Sequence, residues 1–387
     1  MTVRVSKPVF NLREKLSELD IPVGSHGTQL MKSADAAESF NLVQAGRKNL
    51  IINGDFRIAQ RATTNDTAGA QSTYHTLDRW MTQIQAGTIT ESQQSLSSSD
   101  AGPWGEGFRK YMRILNQSNI GAGAAQYAEI DQRIEAQDLA QSGWDYTDSS
   151  SYITLSFWIR ASVAQNYIVT MYANNGTNRH FPFEVPLNAN IWTKVTKSIP
   201  GYSGITITND IENGATIAFI AAYGTNYTST SGYFDTWNTT GGGTNRWPDM
   251  ATAWSTTTNA TFDITGVQLE AGSIATSFEH RSYGEELALC QRYYYKNDAI
   301  ANGDGYRTWS HPFDLQSNAR RASIRHPVRM RATPAITSIV HDEDTGSDKT
   351  TGDALYVSDE VWTFRRDCTN TTAGYARIER WEAKAEL

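Results

Sequence analysis

At 387 residues the chain is long enough for two or three domains, each with a buried core. Its 39% hydrophobic and 19% charged residues, with 11 Trp and 18 Tyr, exclude a disordered chain and a highly charged helical one. Lys plus Arg number 34 against 41 Asp plus Glu, and the formal charge of −7 gives no general attraction to a nucleic-acid backbone or an anionic membrane.

Residues 1–20 carry charges throughout rather than an apolar signal core, so the product is expected to stay where it is made or to leave by lysis or assembly. No stretch approaches the ~20 apolar residues of a membrane span, and no membrane insertion is expected. Within 8–22 the leucines Leu12, Leu16 and Leu19 recur at i, i+4 and i+7 among charged residues, which predicts a three-turn amphipathic helix. So short a helix is unstable alone, and its leucine stripe needs an external surface. Ser33 caps a second predicted helix over 34–45 that Gly46 ends, making residues 1–46 an arm.

From Asn49 the apolar period falls to two. Ile153, Leu155, Phe157 and Ile159 share one face of 152–160, and 111–115, 127–134, 191–199 and 217–223 alternate similarly. Short strands joined by Gly, Asn, Ser and Thr turns predict an antiparallel jelly-roll β-sandwich, and no long helix interrupts 51–278 to suggest a cofactor-binding βαβ fold. Residues 284–296, GEELALCQRYYYK, predict a connector helix with Glu285 and Glu286 in its first turn and Leu287, Cys290 and Tyr294 along one side. Strict alternation over 322–331 then predicts a strand, with others at 335–340, 354–364 and 375–381 forming a small C-terminal β domain. Mainly β, the chain therefore divides into an arm (1–46), a jelly roll (47–283) and a connector helix with C-terminal β domain (284–387).

The run NLIINGDF at 49–56, the triplet Asp78-Arg79-Trp80, LSFWIRAS at 155–162 and FDITGVQLE at 262–270 resemble the carbohydrate-binding-module-like jelly roll of tailed-bacteriophage tail fibres and receptor-binding proteins. GVQLEAGSIATSFEHRSYGEELALCQRYYYK at 266–296 and PVRMRATP at 327–334 are similar to the join and the C-terminal domain of such proteins, and KPVFNLREKLSELD at 7–20 to their virion-proximal start. On the residues themselves, Asn53-Gly54-Asp55 opens the first long strand with turn formers, and GVQLEAG returns a last strand able to pair with it. In modules of this kind the last strand usually carries two aspartates that help hold a structural calcium; Thr265 and Gly266 stand there in this chain. Asp55 and Asp263 are then the remaining oxygen ligands, a solvated turn is the preferred reading, and no cofactor or metal is expected.

Residues 224–260 set Tyr227, Tyr233, Phe234, Trp237, Trp247 and Trp254 among Thr, Ser, Asn and Gly. Rings stack on the apolar face of a pyranose while neighbouring polar side chains bind its hydroxyls, so Trp237, Trp247, Tyr233, Trp254, Asp235 and Asn245 are the candidate carbohydrate contacts. The other reading of these rings is that they plug the open end of the sandwich or meet a sister subunit. Cys290 and Cys368 support neither a disulfide framework nor zinc, the histidines lie singly, and no GxSxG or phosphate loop occurs, so no enzymatic activity is expected. The arginines of 320–331 read as the polar side of a half-buried strand or as partners for a neighbouring subunit's carboxylates.

The resemblance implies a bacteriophage virion fibre protein, a tail fibre, that docks through Leu12, Leu16 and Leu19 on virion proteins (tail adaptor, tail tube or capsid) and binds a host cell-surface glycan as a homotrimer. A capsid-decorating head fibre and a polysaccharide depolymerase tailspike are the two rivals.

Overall fold

Strands dominate the computed structural model, which describes residues 48–229, 233–239, 247–297, 314–316, 319–342, 347–350, 354–367 and 376–387. The arm with Leu12, Leu16 and Leu19, and Asn245, lie outside these residues.

In chain order the first strands are β1 (Thr64–Ala68), β2 (Gln71–Thr73), β3 (Met81–Ile84), β4 (Thr88–Ser95), β5 (Lys110–Asn116) and β6 (Tyr127–Glu135). After a one-turn helix α1 (Ala136–Ala140) come β7 (Tyr152–Ala161), β8 (Gln165–Ala173), β9 (Arg179–Leu187), β10 (Thr193–Pro200) and β11 (Asn213–Tyr223). Short pieces β12 (Thr228–Ser229), β13 (Asn238–Thr239) and β14 (Trp247–Pro248) and a turn of helix α2 (Ala253–Thr256) precede the long β15 (Ala260–Ala271). Two antiparallel sheets result, ordered β1-β4-β5-β15-β7-β10 and β13-β9-β8-β11-β6-β3-β2, so strands distant in sequence are neighbours, as in a jelly roll.

The period-two pattern decides what lies between the sheets. Ile153, Leu155, Phe157 and Ile159 of β7 meet Ile217 and Phe219 of β11 and Phe181, Phe183 and Val185 of β9 in one buried cluster. Phe157 and Phe219 touch edge to face at 4.9 Å.

Residues 49–58 form no regular strand, contrary to the sequence expectation, yet they run beside β15. Leu50 N donates to Leu269 O, Val267 N donates to Gly54 O, and Asn49 Oδ1 accepts from Leu269 N. A Cβ at Gly54 would lie 2.1 Å from Val267 O, so only glycine permits this approach. Asn53, at φ +59°, binds Ile58 O and Asp78 O through Nδ2, and Trp80 Nε1 donates to Asn53 O. NGDF and DRW are thus two halves of one buried staple. Asp263 receives Arg113 at 2.7 Å and Arg160 at 2.9 Å, so cations of the chain itself fill its oxygens.

The connector helix α3 (Tyr283–Gln291) begins with a capping box between Ser282 and Glu285 and ends five residues before the predicted limit. Tyr294 belongs instead to β16 (Tyr294–Asn297), because this aromatic run pairs with the last strand. The further strands are β17 (Asp314–Gln316), β18 (Ala319–Arg325), β19 (Ala335–Asp342), β20 (Ser347–Thr350), β21 (Ala354–Leu355), β22 (Val361–Asp367) and β23 (Ala376–Lys384). They form two sheets, β16-β23-β19-β20 and β17-β18-β22-β21. The strand predicted over 322–331 stops at Arg325, since Pro327 has no N–H for the ladder. Its alternation still appears in burial, with Ile324, His326 and Met330 inside. Arg329 pairs with Asp359 at 2.6 Å and Arg331 binds Ala385 O at 2.8 Å, so both arginines have partners in their own chain. Residues 48–387 form one compact unit.

Candidate functional site

The outer face of the seven-stranded sheet carries the site. On β6, Ala128, Ile130 and Ile134 point into the core, which turns Tyr127, Glu129, Asp131 and Arg133 outward. The registers Thr216↔Arg133 and Thr216↔Tyr172 bring β11 and β8 alongside. These residues, with Gln83, Asn174, Asn213, Tyr223 and Tyr227, line a groove of about 380 Å³.

One end of the groove is aromatic. Tyr127 meets Tyr227 edge-on at 5.6 Å and Tyr223 at 6.2 Å, and Tyr223 lies 5.4 Å from Tyr227. Behind Tyr223, Trp247 packs on Ile168 and Ile220 and touches His180 at 4.6 Å. The other end is polar. The Tyr223 hydroxyl donates to Glu129 Oε2, and Gln83 Nε2 donates to Asp131 Oδ2. Burial, the neighbouring Glu129 carboxylate and Tyr172 raise the Tyr223 phenol well above its ordinary pKa, which keeps it a donor. Asp131 is 1% exposed and its Oδ1 has no partner. Burial pushes this carboxyl up to about 6, against the opposing pull of Arg133, the Gln83 hydrogen bond and Arg79. Such a floor offers acceptors to hydroxyl or amine donors, beside rings on which an apolar sugar face can lie.

The sequence-predicted contacts are not brought together here. Trp247 and Trp254 are 1% and 0% exposed, which corrects both from ligand platforms to core plugs: neither ring has a free face. Trp254 Nε1 donates to Thr261 O at 3.0 Å. Trp237 is half-buried, packs on Phe181 at 5.5 Å and donates through Nε1 to Pro200 O at 2.7 Å. Asp235 pairs with Lys197 at 2.5 Å, and Tyr233 stands 63% exposed. Trp237 and Asp235 contact β9 and β10, and none of the three belongs to the groove-lining set. The groove residues that sequence reasoning passed over were signalled by the alternation of 127–134, whose outward set is Tyr, Glu, Asp and Arg.

No family model matches the chain, and no curated protein matches it. Its structural neighbours are carbohydrate-binding-module-like β-sandwich proteins. A family 11 carbohydrate-binding module from Clostridium thermocellum, solved with a β-1,3-1,4-mixed-linked tetrasaccharide, is 12% identical over 55% of this chain and 99% of its own, with a TM-score of 0.26. A CBM4 module is 12% identical over 57% and 98%, at 0.27. A Stig cyclase from Fischerella sp. TAU is 11% identical over 59% and 99%, at 0.32. Superpositions this loose transfer no activity, and binders and an enzyme both occur among them.

Proposed function

We propose that the chain is a glycan-binding protein whose ligand lies in the groove between Tyr127, Tyr223 and Asp131. The observation that supports this reading is the unpartnered, buried Asp131 Oδ1 in the floor of a groove whose opposite end is three tyrosines. A pyranose would stack on the rings and donate hydroxyls to Asp131 and Glu129. In its finer form the proposal is a bacteriophage virion fibre protein, held to the virion by residues 1–46 and binding host-surface glycan as a homotrimer. Identical weak sites on one trimer raise effective concentration and hence avidity. Calorimetric titration with neutral and acidic tetrasaccharides tests the groove, with Asp131→Asn and Tyr223→Ala as controls. Binding that both variants leave intact rejects it. Light scattering at micromolar concentration tests the trimer, and a stable monomer removes it.

One observation favours the depolymerase as a second reading. Glu129 and Asp131 stand two residues apart on one face of β6, which gives the groove a pair of carboxyl groups, and Asp131 has the raised pKa of a general acid. Host polysaccharide whose chain length stays unchanged after prolonged incubation with the protein rules this out.

A further inference from the structure

Asp131 and Arg133 sit two residues apart on the same outward face of β6, a spacing a long arginine spans easily, yet no ion pair joins them. Arg133 turns instead toward the end of the chain, where its Nη1 donates to Leu387 O at 2.6 Å. That end is itself firmly held. Glu386 accepts from Arg61 at 2.8 Å and from the buried Arg79, Arg331 binds Ala385 O at 2.8 Å and Glu386 O at 3.2 Å, and Ala385 N donates to Tyr293 O at 2.8 Å. Arg79 Nη2 in turn donates to the Arg133 carbonyl at 2.6 Å, fixing the strand at the same point.

We propose that Leu387 is a positioning residue of the groove: by holding the Arg133 guanidinium it keeps that cation off Asp131 and leaves the buried Asp131 Oδ1 unpaired for a ligand's donor. The role of the ligand rests on the glycan reading above, whereas the hold on Arg133 does not. The groups that face Asp131 are consistent with it. On its own strand these are Glu129 and Arg133, on β3 Gln83, on β11 the uncharged Ala218 opposite, and from the segment before β3 Tyr74 and Arg79, with Glu386 behind Arg79. Arg79 is committed to Glu386 and to a backbone carbonyl, so Arg133 is the cation with freedom to pair. Paired, it would lower the carboxyl's affinity for a proton and occupy the oxygen that a sugar hydroxyl would use.

The test is the carboxyl titration of Asp131, followed by NMR, in three variants of this chain. The first stops at Glu386, whose carbonyl stays on Arg331 and whose carboxylate stays on Arg61 and Arg79. The second inserts two glycines between Glu386 and Leu387, which displaces the acceptor while every residue is kept. Either should move the Asp131 midpoint from about 6 down by about one unit or more, and weaken binding of a neutral tetrasaccharide several-fold. In the third, Arg133→Gln added to the shortened chain removes the freed cation and should restore the high midpoint, a rescue that general loosening of the fold would not give. An unchanged midpoint in both tail variants overturns the proposal, as does a lowered midpoint with unaltered affinity. A lowered midpoint in a protein whose wild type binds none of the sugars supports the hold on Arg133 and removes the glycan reading instead.

Discussion

Trp247 lies flat behind Tyr223, the two ring planes 2° from parallel and their centroids 5.8 Å apart. The indole is inaccessible while the phenol lines the groove, so one ring backs the other. Trp247→Ala should therefore act on stability first, by about 3–5 kcal/mol as for other buried Trp truncations, read as a lower urea midpoint. Ligand affinity of the folded fraction should fall too, because Tyr223 loses its support. A variant of wild-type stability with weakened binding would instead return Trp247 to the ligand surface.

The pH dependence of Asp131 has two opposite signs. Its folded pKa of about 6 lies above the ordinary carboxylate value, so the folded state holds the proton more tightly, and stability without ligand falls as pH rises from about 4 through 6. The upper bound on this loss is about 3 kcal/mol, and Asp131→Asn should remove it, flattening the difference in melting temperature between pH 4 and 8. A ligand that donates to the carboxylate competes with the proton, so affinity should fall as pH drops through about 6. Asp131→Asn should abolish that step in a calorimetric pH series; persistence of the step would assign it to another group.

The sandwich was legible because each strand writes its inner face into local alternation: Ile153, Leu155, Phe157 and Ile159 needed no partner to be recognised as core. The groove was not, because Tyr127, Asp131, Tyr172 and Tyr223 meet only through the β6-β11-β8 register, which no local pattern encodes. Clustered rings among polar residues also misled: Trp247 and Trp254 stand among Thr, Asn and Asp in the sequence, whereas the indoles themselves are buried. Trp237 and Asp235 likewise serve the edge of the sandwich, through Pro200 O and Lys197.

Gly54→Ala should destabilise the sandwich although it adds one methyl group. The added carbon would stand 2.1 Å from Val267 O, a backbone atom that accepts from Asn49 Nδ2 and whose own N–H donates to Gly54 O, so the chain at 49–58 must move off β15. Overpacking of this kind costs about 1–3 kcal/mol, with loss of protection of the Leu50 and Val267 amides in hydrogen exchange. Equal stability and unchanged protection would mean that this segment is not clamped to the last strand.

Glu386→Ala should cost more than any surface charge in the chain. Arg79 is 1% exposed, stacked 3.5 Å over Tyr293, and Glu386 is the carboxylate that pairs with it. Burial pushes the guanidinium pKa down, and Glu386, with smaller help from Tyr293 and Tyr74, raises it above its ordinary value, so the cation stays charged. Removing the carboxylate leaves that charge buried without a counter-ion, a loss of about 3–5 kcal/mol. By contrast Lys194 and Glu106 pair at 2.7 Å with side chains 42% and 36% exposed, where solvent screening leaves at most about 1 kcal/mol. Urea unfolding of Glu386→Ala and Lys194→Ala in low and high salt separates the two: the first should show a large, salt-insensitive loss and the second a small one that salt erases. A Glu386→Ala loss no greater than that of Lys194→Ala would mean that Arg79 finds another counter-charge and that the C-terminal tail does not clamp the sandwich.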